Sequence, residues 1–166
     1  MSELFDFEGA ETFAVGAVGE PGERVFLIQV RRAGETLTMK LEKQEVAALV
    51  EYFARVLKEL HEPVEAAGET DLDGNPKPEF VVGSLAVSYD EESDRIVVVA
   101  EERTGEDEGE GSSARISVTR QQAAAFAMQG RRAVEAGRPA CPFCGYPLDA
   151  RGHVCPRMNG HRPPLT

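Results

Sequence analysis

The stretch RVFLIQVRRAGETLTMKLEKQEVAALVEYFARVLKELH, residues 24–61, changes period partway along, and that change decides the fold. From Arg24 to Arg31, Val25, Leu27 and Gln29 share one face while Phe26, Ile28 and Val30 share the other. A strand apolar on both sides belongs inside a sheet. After Ala33-Gly34, residues Thr36 to Leu41 alternate Leu37, Met39 and Leu41 with Thr36, Thr38 and Lys40, which reads as a strand with one face in water. Over residues 43–61 the spacing becomes helical: Val46, Leu49, Val50, Phe53, Val56, Leu57 and Leu60 recur at three and four residues. Such a helix lays one apolar stripe on the sheet.

Working outward, Thr12 to Val18 reads as a preceding strand and Gly19-Glu-Pro-Gly-Glu23 as a turn, since proline presets φ and glycine tolerates a positive one. The unit is therefore βββα. A polar linker rich in glycine and proline, Glu62 to Pro78, follows. Then the order repeats: strand Phe80 to Tyr89, turn 90–94, strand Arg95 to Glu101, an acidic glycine-rich loop over residues 104–113, strand Ala114 to Thr119 and helix Arg120 to Ala136. The match reaches residues. Phe13-Ala-Val-Gly-Ala17 corresponds to Phe80-Val-Val-Gly-Ser84, and Leu41-Glu-Lys-Gln44 to Val118-Thr-Arg-Gln121. Moved on by 77 positions, six apolar sites of the first helix fall on Ala123, Phe126, Ala127, Gly130, Ala133 and Val134, so the stripe survives with smaller side chains. Thr119 and Gln122 stand at capping-box spacing at the start of the second helix.

The expected fold class is α+β: duplicated βββα units forming a largely antiparallel sheet with two helices on one face, plus a small C-terminal zinc-binding module. Residues 1–138 form the duplicated domain, with repeats at about 12–62 and 79–137, and residues 139–166 a tail like a zinc knuckle or ribbon. A pseudo-twofold between the repeats would place Gly16 and Gly83 equivalently, where a missing side chain admits a bulge or a close backbone approach.

A chain of 166 residues with 42% hydrophobic and 28% charged content is a folded domain with room for one core and an appendage. Met1 to Glu8 has no basic region followed by an apolar run, and no stretch approaches the roughly 20 apolar residues that cross a bilayer, so a cytoplasmic protein without a membrane association is expected. The net charge of −11 divides into −16 over residues 1–119 and +5 from Arg120 onward. A body so acidic repels nucleic acid and anionic membrane, and only the basic tail could hold an anion.

All the chemistry that spacing singles out lies in that tail. Cys141 and Cys144 form a C-x2-C turn relieved by Gly145; ten residues separate Cys144 from Cys155, and five separate Cys155 from His161. Three thiolates and one imidazole complete a closed tetrahedron about a structural Zn2+, with no position left for substrate. His153, two before Cys155, is the alternative fourth ligand; a redox pair and an open catalytic zinc are the competing readings of the same residues. So few apolar residues could not fold this stretch without the metal. Neither a phosphate-cradling glycine loop nor a nucleophile elbow is present, and no catalytic residue or organic cofactor site is assigned.

Through Val15-Gly-Ala-Val-Gly-Glu-Pro-Gly22, Leu41-Glu-Lys-Gln44, and the tail Gly137-Arg-Pro-Ala-Cys-Pro-Phe-Cys-Gly145 with His153-Val-Cys-Pro-Arg-Met-Asn-Gly-His-Arg162, the chain resembles the "domain of unknown function 3090" family of actinobacteria and relatives. The resemblance implies a class without an activity. The first functional reading is a zinc-binding adaptor or regulatory protein whose sheet meets a protein partner. The second is an enzyme of phosphate or small-molecule metabolism, with a pocket between the repeats or beside the basic tail. A pocket lined by convergent polar groups favours the second and a flat apolar patch the first.

Overall fold

The computed structural model describes residues 3–20, 23–60, 64–68, 71–72 and 76–136. The chain divides into two compact units, Met1–Val18 with Val25–Val134, and Gly19–Arg24 with Glu135–Thr166. The fold described is that of the first.

Seven strands and two helices run in the order β1 (Leu4–Phe7), β2 (Thr12–Val18), β3 (Val25–Arg32), β4 (Glu35–Leu41), α1 (Lys43–Glu59), β5 (Phe80–Asp90), β6 (Arg95–Glu102), β7 (Ser113–Val118) and α2 (Arg120–Glu135). Both βββα units stand where the periodicity puts them. The strands form one mixed sheet in the order β1-β7-β6-β5-β4-β3-β2. Within each unit neighbours are antiparallel, whereas β4 pairs with β5 and β1 with β7 in parallel.

The parallel join of β4 to β5 corrects the expected pseudo-twofold. Equivalent strands β2 and β5, β3 and β6, β4 and β7 point the same way, so the repeats are related by a step along the sheet. A parallel neighbour needs a long crossover, and α1 with the segment up to Glu79 supplies it. The seventh strand, β1, extends the same pattern, because it sits beside β7 in parallel as β5 sits beside β4. Four residues suffice for it: Phe7 is 2% exposed while Leu4 is 77% exposed.

The core lies on one face. Phe13 and Val15 of β2, Phe26, Ile28 and Val30 of β3, Leu37, Met39 and Leu41 of β4, Ile96 and Val98 of β6, and Ile116 and Val118 of β7 meet Val46, Leu49, Val50 and Phe53 of α1 and Phe126 of α2. Each such side chain removed from water contributes about 2 kcal/mol. Phe126 stacks on Phe13 at 4.7 Å and meets Phe53 edge-on at 5.2 Å, which ties both helices to β2.

The sheet curls around that core. Phe5 of β1 stacks on Phe80 of β5 with ring centroids 6.2 Å apart, although three strand spacings, about 14 Å on a flat sheet, separate the two strands. The segment joining β1 to β2 is bonded on both sides: Ala10 N donates to Ser117 O of β7 at 3.0 Å and Glu11 N to Arg31 O of β3 at 2.9 Å. The two ends of the strand order thus meet at one short piece of chain, which leaves less unpaired edge than a flat sheet would.

Local chemistry explains the joints. Thr119 and Gln122 form the expected capping box, Gln122 N donating to Thr119 Oγ1 at 3.0 Å and Thr119 N to Gln122 Oε1 at 2.9 Å. Gly83 sits at a bulge in β5, where an added Cβ would lie 2.7 Å from Arg103 Cα, and Gly16 faces Leu72, whose Cδ1 would lie 2.9 Å from such an atom. Both are close approaches. Thr38, expected to face water, is only 4% exposed, because Gln29 opposite it on β3 donates its amide to Thr38 Oγ1 at 3.1 Å. Arg31 Nη2 in turn donates to Gln29 Oε1 at 2.8 Å, so this buried amide has partners for both of its ends.

Candidate functional site

Cys141, Cys144, Cys155, His161 and the alternative ligand His153 all lie outside the described residues, as does the whole module 139–166. Among the described residues no group of three or more histidine, cysteine, aspartate or glutamate side chains could hold a metal ion. No helix among them is long and apolar enough to cross a membrane.

What the described fold does assemble is an open cleft of about 370 Å³, lined by Glu8, Gly9, Arg32, Asp90, Ser93, Arg95, Val97, Arg115 and Ser117. Where β6 and β7 line it, it lies on the sheet face opposite the helices. Arg95 and Val97 on β6 and Arg115 and Ser117 on β7 alternate with Ile96, Val98, Ile116 and Val118, which point into the core. Arg32 arrives from the end of β3. In the strand order β3 stands four places from β7, and it reaches this cleft because Arg31 O and Ser117 O both bond the segment after β1. The wall therefore combines side chains of both repeats with the backbone at the seam.

The turn that delivers Asp90, Ser93 and Arg95 is held in shape. Asp90 accepts from Glu92 N at 3.1 Å through Oδ1 and from the Ser93 hydroxyl at 2.9 Å through Oδ2. Asp94 takes a positive φ of 52° and joins β5 to the start of α2: its Oδ1 accepts from Tyr89 Oη at 2.5 Å and from Arg120 Nε at 2.8 Å. Arg120 Nη2 also donates to Tyr89 Oη at 3.1 Å, and its guanidinium lies 5.8 Å from the Tyr89 ring centre. The hydrogen bond from Tyr89, then that from Arg120, holds the Asp94 carboxyl below the usual carboxylate range. Donation to Asp94 raises Tyr89 and Arg120 above their ordinary values.

The electrostatics of the cleft set it apart from the rest of the chain. No hydrogen bond or ion pair joins the guanidinium groups of Arg32, Arg95 or Arg115 to another described residue, although Glu8 and Asp90 stand in the same lining and the Asp94 carboxylate attracts Arg95 at longer range. At Ser117, 5% exposed, Oγ accepts from Gly9 N at 2.7 Å, which leaves its hydroxyl proton available to a ligand. Three arginines that make no ion pair among the described residues line one cleft with a serine hydroxyl, and such donors can hold an oxyanion.

Spacing could not single out these residues. The available signal is arginine at outward positions of otherwise apolar strands; their convergence depends on the curl of the sheet. The acidic loop offers less. Residues 103–110 are exposed except where the loop closes on itself, with Glu102 N donating to Ser112 O at 2.8 Å and Glu102 Oε2 accepting from Ser112 N at 2.8 Å.

Compared with known proteins, residues 5–155 match the model of a family described as "Protein of unknown function (DUF3090)". No curated protein and no solved structure matches the chain.

Proposed function

For this chain, which belongs to the DUF3090 family, we propose the binding of a small anionic metabolite in the cleft between the repeats. The observation that carries this reading is that three arginines lining one cleft make no hydrogen bond or ion pair among the described residues, in a protein whose first 119 residues bear a net charge of −16. Cations in such an acidic body are ordinarily consumed by carboxylates, as Arg120 is by Asp94. Arginines left unpaired in a concavity are available to a ligand. Among the described residues the exposed large apolar side chains, Leu4, Val18, Tyr52 and Met128, lie on four different elements, so the polar cleft carries more weight than a docking patch there.

The tail adds a second component. The spacing of Cys141, Cys144, Cys155 and His161 supports a structural zinc that folds residues 139–166, in a cytoplasmic protein whose partner contacts the tail would extend. Thermal denaturation of the full chain against a panel of small phosphates, sulfates and carboxylates tests the binding reading. A concentration-dependent rise in Tm with at least one class, abolished when Arg32, Arg95 and Arg115 are all changed to glutamine, is expected. Indifference to every anion, or a rise retained by that triple variant, would overturn it.

A further inference from the structure

We propose that the anion this cleft takes is a phosphate monoester bound as its dianion, with Arg32, Arg95 and Arg115 as the charged donors and Ser117 as a hydroxyl donor; this rests on the small-anion reading above.

The first argument is the number of forks. One guanidinium satisfies a carboxylate in bidentate fashion, with two parallel hydrogen bonds. Here three guanidinium groups from β3, β6 and β7 share one lining, and each presents five N–H donors in a plane. A monocarboxylate has two acceptor oxygens and would leave most of these donors to water. A phosphate monoester offers three terminal oxygens arranged as a pyramid and close to two charges at neutral pH, so it can meet donors arriving from three strands.

The carboxylates in the lining do not remove this demand. Asp90 accepts from Glu92 N and the Ser93 hydroxyl and makes no ion pair with Arg95 opposite it, Glu8 pairs with none of the arginines, and Asp94 reaches Arg95 only by a longer-range charge interaction. At Ser117 the seam amide of Gly9 uses the oxygen as acceptor, so the remaining hydroxyl proton points the chemistry of that residue toward accepting ligands. Size limits the rest of the ligand. A cleft of about 370 Å³ lies at the small end of the range for metabolite sites, and the acidic body repels a polyanion, which selects a short organic phosphate over a nucleic acid backbone.

Ionisation of the ligand distinguishes the classes. The second proton of a phosphate monoester leaves near pH 6, so the dianion grows about tenfold between pH 5 and pH 7. The lining contains Glu8, Asp90, Arg32, Arg95 and Arg115 and no histidine, while the second ionisation of the ligand falls within this interval. Isothermal titration of the full chain with glycerol 1-phosphate, inorganic sulfate and glycerate at pH 5 and pH 7 is the test. The ester should bind about tenfold tighter at pH 7, and glycerate should bind weakly with no such change. Arg95→Gln and Arg115→Gln should each weaken ester binding about tenfold or more, while Arg55→Gln, at a position over the Tyr52 ring and outside the lining, should leave it unchanged. Amide shifts of Gly9, Ser93 and Ser117 in the unsubstituted protein report the site without any variant.

Glycerate binding as tightly as the ester, or ester affinity flat with pH, would overturn the phosphate assignment and leave the anion site standing. No binding by any of the three, or binding that neither moves those amides nor responds to Arg95→Gln and Arg115→Gln, would overturn both.

Discussion

Asp94 occupies a backbone region that costs a non-glycine residue about 1 kcal/mol, with φ at +52°. Its carboxylate accepts from both Tyr89 and Arg120 there, and the turn between β5 and β6 is thereby fixed against the first residue of α2. The pH dependence follows from the lowered Asp94 ionisation. A carboxyl whose folded value lies below its unfolded value contributes stability above about pH 4, and the contribution is lost as the pH falls through the folded value. Tyr89 and Arg120 are shifted the other way, so their contributions are full below their unfolded values and fade only as the pH rises through the raised ones, far above neutrality. Asp94→Asn should therefore lower Tm modestly at pH 7, with the gap between variant and parent closing toward pH 2. Thermal melts by circular dichroism across that range check it, and a gap that widens in acid would contradict the assignment. The capping box at Thr119 and Gln122 was legible in the sequence because both partners sit within one turn. The grouping of Arg32, Arg95 and Arg115 was not, since no local pattern specifies which strand ends meet.

Between elements, the two helices use the duplicated stripe unequally. Gly130 of α2 stands at the position equivalent to Phe53 of α1, and an added Cβ there would lie 2.6 Å from Val50 Cγ2, with Val15 Cγ1 and Val46 Cγ1 at 3.6 Å. The small stripe of α2 thus lets the helices approach while the bulk is supplied by Phe53, Phe126 and Phe13. Gly130→Ala should destabilise the protein by about 1–3 kcal/mol through overpacking, despite the higher helix propensity of alanine. Adding Val50→Ala, which vacates the contested space, should recover part of that loss even though Val50→Ala alone costs stability. Urea denaturation of the two single variants and the double variant measures the coupling; strictly additive losses would contradict the contact. The close fit of α2 was readable from its alanines and glycine, whereas its particular neighbour, Val50, was fixed only by packing.

Over the whole molecule, the curl of the sheet organises the function proposed. It brings the end of β3 beside β7, closes the strand order at residues 8–11, and so creates a cleft with contributions from both repeats. The tail has its own test. If Cys141, Cys144, Cys155 and His161 hold zinc, the purified chain should contain about one equivalent by elemental analysis. Cys144→Ser should remove most of it, His161→Ala should remove more than His153→Ala, and chelation should unfold the tail, exposing it to limited proteolysis while the sheet core stays resistant. Full occupancy in Cys144→Ser would contradict the ligand set.

The amino-acid sequence by itself determined the two βββα units, the capping box, the small-residue face of α2 and the spacing of cysteines and histidines at the carboxyl end, because each is written in periodicities or contacts a few residues long. It did not determine the parallel joins β4–β5 and β1–β7, the same-direction relation of the repeats, or the burial of Thr38 against Gln29. Those depend on which strand edges meet, and edge pairing is settled by crossover geometry and by the gain from burying a shared core, not by the pattern within any one strand. The arginine cleft belongs to this second class: each arginine is unremarked along the chain, and only the rolled sheet makes the three of them neighbours.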